Sequence, residues 1–276
     1  MANAVFQETL GLSTPSMYIP SVLFAYSIGK KLDGIRGPGT TGWWGQRVSK
    51  GYGMCDERLL PYGSVKSEDE VPKIAISEDA YRSGYQHRCF AYQRLYTLND
   101  IKRMLAYPVC LPPPFPQLCF ELFESVRTAD RGHLPVPGPA EKRISGHAVT
   151  VLRYNDNQKE LKFLNSWGPK WGDKGYGYLP YEYFNRKLVT EVWVSLFPRA
   201  ANVLGTRYKD VVFRDKEHQR IRLRVTQLPG LSWGRPSLWV IDLYDSDHKL
   251  AGWAHCSVYT DRDTPDFHFP SVLLMW

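Results

Sequence analysis

Apolar residues fall into two periods along this chain. Ala148, Val149, Val151, Leu152 and Tyr154 form a β-rich run, and Leu161, Phe163 and Leu164 form a second. Between them Asn155-Asp-Asn157 has the short polar side chains that close tight turns. This predicts two antiparallel strands joined by a hairpin. His147 stands at the start of the first and Asn165 at the end of the second. In such a pair those two ends lie side by side. Helical spacing governs other stretches. Residues 2–10 suit a helix stopped by Gly11 and Pro15. Apolar positions 22, 23, 25 and 26 predict a short buried helix after Pro20, and 43–50 another. Ser77 has N-cap character. Leu98, Ile101, Met104 and Leu105 predict a helix over 97–106, capped by Thr97 or Asn99. Residues 92–96 read as a strand, 108–109 as the start of another, and 112–114 are prolines that interrupt it. The β pattern resumes over 120–126 and again over 191–196, separated by a proline-stiffened loop at 134–139.

Residues 198–205 read as a linker. Beyond it Ile221, Leu223 and Val225 alternate with Arg222, Arg224 and Thr226, the pattern of a half-buried strand. Residues 238–244 and 249–255 predict a hairpin. The chain closes on an apolar run, 271–276.

The hairpin at 147–165 has a chemical use. An imidazole can take a proton from a nucleophile and return it. An amide oxygen accepting from one ring nitrogen fixes the tautomer and frees the other nitrogen. Trp167 and Trp171 would shield that hydrogen bond from water.

Ser145-Gly-His-Ala-Val149, Asn165-Ser-Trp-Gly168, Trp171-Gly172 and Gly175-Tyr-Gly-Tyr178 together resemble the C-terminal half of papain-like cysteine peptidases. The resemblance covers residues 1–198. It implies an α+β papain-like cysteine peptidase fold, with a helical half and a β-barrel-like half. It implies His147 as general base and Asn165 as its orienter. Ser145, Gly146 and Trp167 would line the substrate cleft, as would Gly39, Thr40 and Thr41 in a small-residue loop. The family's nucleophilic cysteine opens a long central helix after a glutamine. Residues 2–10 resemble the end of that helix, so the fold is expected to be N-terminally incomplete, with the cysteine and glutamine encoded upstream. Two domains are expected: 1–198, peptidase-like, and 206–276, a small β-rich module that is itself incomplete.

None of Cys55, Cys89, Cys110, Cys119 and Cys256 opens an amphipathic helix in a Gln-Gly context. Each reads as a buried, inert thiol. His255 and Cys256 are strand neighbours and face opposite ways, so they form no direct pair. The expected function is peptide-bond hydrolysis with the nucleophile absent from this chain. The alternative is an inactive peptidase-like module that binds peptides or serves as a scaffold. An amidase or transglutaminase-like enzyme is disfavoured by the Asn-Ser-Trp-Gly run.

Composition narrows the partners. The chain has 276 residues, 43% hydrophobic, with nine tryptophans and seventeen tyrosines, enough for a large aromatic-rich core. Its net charge of +7 is spread without a long block, so no nucleic-acid partner is expected. Five cysteines without Cys-x-x-Cys pairing indicate neither a metal site nor a disulfide framework, which points to a reducing, cytoplasmic setting. No cofactor is expected. No apolar run approaches the ~20 residues of a membrane span, and no signal peptide is evident.

Overall fold

The computed structural model describes residues 18–89, 91–106, 115–196, 207–214, 220–228, 238–244, 250–259 and 266–268, with side chains as far as Ser195. The helix expected at 2–10, the strand at 108–109, Cys110, the prolines at 112–114, the linker and the closing apolar run lie outside the described residues. The chain divides into two compact units, residues 1–87 with 92–195, and residues 88–91 with 196–276.

The first unit opens with helices. Helix α1 (Val22–Asp33) starts where Ser21 Oγ accepts from the Phe24 amide at 3.1 Å and donates to the Leu60 carbonyl at 2.6 Å. It runs well past the apolar positions 22–26 that predicted it, because Lys30 and Lys31 suit a helix C-terminus and Gly34 supplies the left-handed cap. Helix α2 (Gly42–Gly51) follows Thr41 as N-cap, and α3 (Glu78–Gln86) follows Ser77. The acidic stretch between them winds into a 3-10 turn, Glu68–Lys73. Leu23, Phe24 and Ile28 of α1 pack with Val48, Cys55, Leu60, Val71 and Ala80 into one buried cluster.

The β half begins with β1 (Ala91–Leu95) and α4 (Leu98–Ala106). Thr97 caps α4 reciprocally: its Oγ1 accepts from the Asp100 amide, and Asp100 Oδ2 accepts from the Thr97 amide. Then come β2 (Gln117–Phe123), β3 (Arg143–Asn155), β4 (Glu160–Leu164), β5 (Tyr176–Pro180), a short helix α5 (Glu182–Asn185) and β6 (Val189–Leu196). They form one six-stranded sheet, ordered β1-β6-β2-β3-β4-β5. Alternation holds: Leu118, Phe120 and Leu122 of β2, Leu161 and Phe163 of β4 and Leu179 of β5 are buried on the core face. Strand β2 ends at Phe123 rather than at 126, since Glu124–Thr128 turns into a 3-10 helix. Strand β3 starts at Arg143, four residues before His147, because β2 ladders with it from Arg143 to Thr150. His147 is therefore mid-strand and not at the strand's start.

The second unit is a five-stranded antiparallel sheet. Its strands are β7 (Arg207–Arg214), β8 (Arg220–Leu228), β9 (Leu238–Tyr244), β10 (Leu250–Tyr259) and β11 (Asp266–His268), each paired with the next in sequence. The expected hairpin is β9–β10. No helix among the described residues is long and apolar enough to cross a membrane.

Candidate active site

Strand pairing sets the two polar residues side by side. Thr150 of β3 faces Leu164 of β4, and Asn165 is the next residue after β4. Its amide donates to the Gly175 carbonyl at 2.9 Å, which ties the loop that follows back onto itself. Asn165 is only 6% exposed. His147 Nε2 and Asn165 Oδ1 lie 2.8 Å apart.

Asn165 Oδ1 also accepts from the Ser166 backbone amide at 2.8 Å. A backbone N–H can only donate, so the atom it meets is the amide oxygen. An oxygen facing Nε2 requires the proton on Nε2. In the neutral ring Nδ1 is then the bare nitrogen, the form a general base needs. Burial pulls the His147 pKa below its usual 6.5, and the Asn165 hydrogen bond opposes this in part. The imidazole is neutral at neutral pH and keeps its lone pair.

Two rings flank the imidazole, and a third backs one of them. Phe120, its direct partner across β2 and β3, meets it edge-on with centroids 5.8 Å apart. Trp167 lies over it at 4.6 Å and 31°. Trp171 abuts Trp167 edge-on at 5.0 Å. Trp167 remains 41% exposed, so the cover over the pair is a single indole with Trp171 as its buttress.

The other expected cleft residues are held elsewhere. Gly39 has φ +85°, a conformation suited to glycine; its amide donates to the Tyr26 hydroxyl and its carbonyl accepts from Lys30 Nζ. Thr41 Oγ1 accepts from the Trp44 amide as the cap of α2, while the Thr40 hydroxyl is buried without a partner. Ser145 and Gly146 are exposed on β3, opposite Leu122 and Glu121. Among the described residues no hydrogen bond or ring contact joins Gly39, Thr40 or Thr41 to His147.

Three features carried no signal in the linear sequence. Glu191 of β6 accepts from the Gly42 and Trp43 amides at 2.7 and 3.3 Å and from Trp193 Nε1 at 2.5 Å. It clamps the N-terminus of α2, and with it the small-residue loop, to the sheet. Gln46 of α2 bonds both Gln117 of β2 and Ser195 of β6. Beside that bridge lies a cavity of about 250 Å³, lined from the helices by Ala25, Gly45 and Ser49 and from the sheet by Ala148 and Ser166. Ala148 and Ser166 directly follow His147 and Asn165 in the chain, and Ala148 lies on the sheet face opposite His147. Phe120 could have been found from its place in the apolar alternation of β2, and Ser166 from the motif that contains it.

Two of the thiols stand where a thiolate is disfavoured. Burial pushes Cys55 up to about 11 in the helical cluster and Cys119 up to about 12. Cys119 pairs with Ala148, one position along from the Phe120–His147 pair, and so belongs to the opposite sheet face. Cys89 is buried. Cys256 lies on β10 of the second unit, opposite Trp239. Among the described residues no group of three or more His, Cys, Asp or Glu is placed to hold a metal ion.

No family model matches the sequence. The chain is 30% identical over 186 residues to the uncharacterized peptidase C1-like protein L477 of Acanthamoeba polyphaga mimivirus, a match covering 64% of this chain and 58% of that protein. It is 41% identical over 59 residues to the cysteine protease Amb a 11.0101 of Ambrosia artemisiifolia, covering 20% of this chain and 13% of that one. The chain thus spans less than two thirds of either relative. Among solved structures it resembles xylellain, a cysteine protease from Xylella fastidiosa, with a TM-score of 0.61 and 24% identity over 71% of this chain and 76% of that one. Procathepsin B S9 from Trypanosoma congolense gives a TM-score of 0.51 and 19% identity, over 71% and 65% of the two chains.

Proposed function

We propose, from the papain-like cysteine peptidase fold of this chain and its peptidase C1-like relative, that residues 1–198 serve peptide-bond hydrolysis by a thiolate, and that 206–276 form a separate β-rich module. His147 acts as general base and then as acid, and Asn165 orients it. The attacking sulfur is none of the five cysteines of this chain. The observation that carries the reading is the amide oxygen held between the Ser166 N–H and His147 Nε2, which fixes a base-competent tautomer. The substrate is an extended peptide. Over Arg143–Val149 the β2-facing edge of β3 is laddered, while pairing with β4 starts only at Thr150. That leaves main-chain groups beside His147 to take another strand. Ser145, Gly146 and Trp167 would flank it, with Gly39, Thr40 and Thr41 as the far wall.

The chain as it stands is expected to leave a fluorogenic peptide uncut, and an epoxide inhibitor of thiol peptidases is expected to label none of its cysteines. Fused in frame to a helix that opens on Gln-Gly-x-Cys, it should gain hydrolysis, and His147→Ala should remove at least about 100-fold of it. Turnover that survives His147→Ala would exclude His147 as the base. The raised pKa values of Cys55 and Cys119 favour a second reading, a module that holds peptides without cutting them. Peptide binding by the fused protein without hydrolysis would select it.

A further inference from the structure

The basic residues of the second unit are scattered in the linear sequence, but strand pairing gathers them. Residues alternate between sheet faces along a strand, and cross-strand partners share a face. Arg214 of β7 pairs with Arg220 of β8. Two residues on, Arg222 lies between Val212 and Tyr244. Two further, Arg224 lies between Asp210 and Asp242. The same face continues with Tyr208 opposite Thr226, and β10 adds Trp253 opposite Asp242 and His255 opposite Val240. The other face carries Val211, Phe213, Leu223, Val225, Ile241 and Leu243, with Lys209 opposite Val225 and Arg207, Gln227 and Trp239 at its far end. Antiparallel sheets commonly pack one face on a core and leave the other solvated.

The charges on the polar face do not balance. Arg224 has a carboxylate at both cross-strand positions. Among the described residues Arg214, Arg220 and Arg222 have no carboxylate at theirs, and Arg214 and Arg220 are like charges directly opposite, an arrangement that destabilises a sheet by itself. Three arginines thus take neighbouring register positions on a face whose register also includes Tyr208, Tyr244 and Trp253. Arginines alone would suit any polyanion. Arginines interleaved with aromatic residues on a sheet suit phosphates and unstacked bases together. We infer that the face of β7–β10 bearing Arg214, Arg220, Arg222, Tyr244 and Trp253 binds single-stranded nucleic acid. Tyr244 and Trp253 offer stacking platforms and the three arginines neutralise backbone phosphates. This revises the expectation of no nucleic-acid partner, which rested on linear spacing. It is independent of the reading of His147.

The test is fluorescence anisotropy of the full chain with a labelled mixed-sequence single strand of about 12 nucleotides. Three neutralised phosphates predict a salt slope of about −2, so affinity should fall roughly 20-fold between about 50 and about 200 mM salt. The variant Arg214→Gln with Arg222→Gln should bind about tenfold or more weakly and flatten the slope towards about −0.7. Arg224→Gln, between its two acids, should stay within about twofold, and Tyr244→Leu should lose about fivefold or more through stacking. Circular dichroism checks that each variant folds; should the double variant fail, Arg222→Gln alone is read by its slope. Wild-type affinity and slope in Arg214→Gln with Arg222→Gln, or in Arg222→Gln where it is read alone, overturns the inference. So does polyglutamate competing as well as the oligonucleotide while Tyr244→Leu binds unchanged, since that is the behaviour of a general polyanion site.

Discussion

Asn165→Ala separates the stability of the site from its chemistry. The truncation removes two accepted bonds, from His147 Nε2 and from the Ser166 amide, each at 2.8 Å. At about 0.5–1.5 kcal/mol net each, they are worth about 2 kcal/mol. It also removes Asn165 Nδ2, a buried donor with no partner, whose desolvation costs about 1–3 kcal/mol. The two effects nearly cancel, so Asn165→Ala should destabilise the fold by about 1 kcal/mol or less in urea unfolding. The tautomer does not cancel. A bond of about 1 kcal/mol favours the Nε2–H form about fivefold, and that bias disappears. The His147 pKa should drop further, because the only effect opposing burial is gone. Asn165→Asp keeps the acceptor and removes the orphan donor, but places a carboxylate against the ring. His147 should then titrate higher than in the wild type. Long-range proton–nitrogen NMR on histidine-labelled protein reads both quantities, with His147 assigned among seven histidines by its loss in His147→Gln. A wild-type ring protonated at Nδ1, or a tautomer ratio unmoved by Asn165→Ala, refutes the reasoning.

Trp167→Ala uncovers the ring and relieves part of its burial, so the same titration should show the His147 pKa rising towards 6.5; an unmoved value would assign the burial to the Phe120 side. A histidine with a lowered folded pKa releases protons on folding. Its contribution to stability is present above the unfolded value near 6.5 and is lost as pH falls through the folded value, with a limiting slope of about 1.4 kcal/mol per pH unit. Urea melts from pH 7.5 to about pH 5 should show stability falling as pH falls, and His147→Gln should lessen that fall. Gly177→Ala would set a methyl 2.7 Å from Phe163 Cε2 and 2.8 Å from Trp171 Cη2. A cost of about 1–3 kcal/mol and a shifted tryptophan emission are expected; wild-type values for both would mean that the rings yield freely. Glu191→Ala frees the Gly42 and Trp43 amides and should speed their hydrogen exchange at least tenfold, with about 1 kcal/mol lost, whereas Glu191→Gln keeps an acceptor and should lose less.

Local chemistry made part of this legible in the chain. Ser77 and Thr97 cap helices because a hydroxyl followed by free amides has one good use, and both stand where their residue types put them. Asn155-Asp-Asn157 turns the hairpin that sets the separation of His147 and Asn165. What stayed hidden depends on residues far apart in sequence. Glu191 reaches Gly42 across 149 positions, and no local pattern distinguishes that carboxylate from a solvated one. Strand β3 starts before its apolar run because β2 ladders exposed residues, Ser145 and Gly146 among them. The arginines of β8 showed a strand, but only the register with β7 and β9 separates Arg222 from Arg224.

The depressed His147 pKa bears on what a thiol brought near it would do. Burial penalises an isolated imidazolium, and it equally penalises an isolated thiolate. Each charge becomes favourable only beside the other, since an opposite charge within about 4–6 Å raises the imidazole and lowers the thiol. The two groups would then titrate as a pair, with macroscopic values belonging to neither alone. The indole over the ring works in the same direction, because excluding water strengthens the attraction between the pair more than it alters the desolvation already incurred. Asn165 serves both states: its oxygen accepts from Nε2–H whether the ring is neutral or charged, so proton transfer at Nδ1 requires no rearrangement behind it. On the proposed reading the base half of the site is organised before a nucleophile arrives, and the fused protein should show its thiol and His147 gaining protonation shifts of opposite sign in the same pH interval.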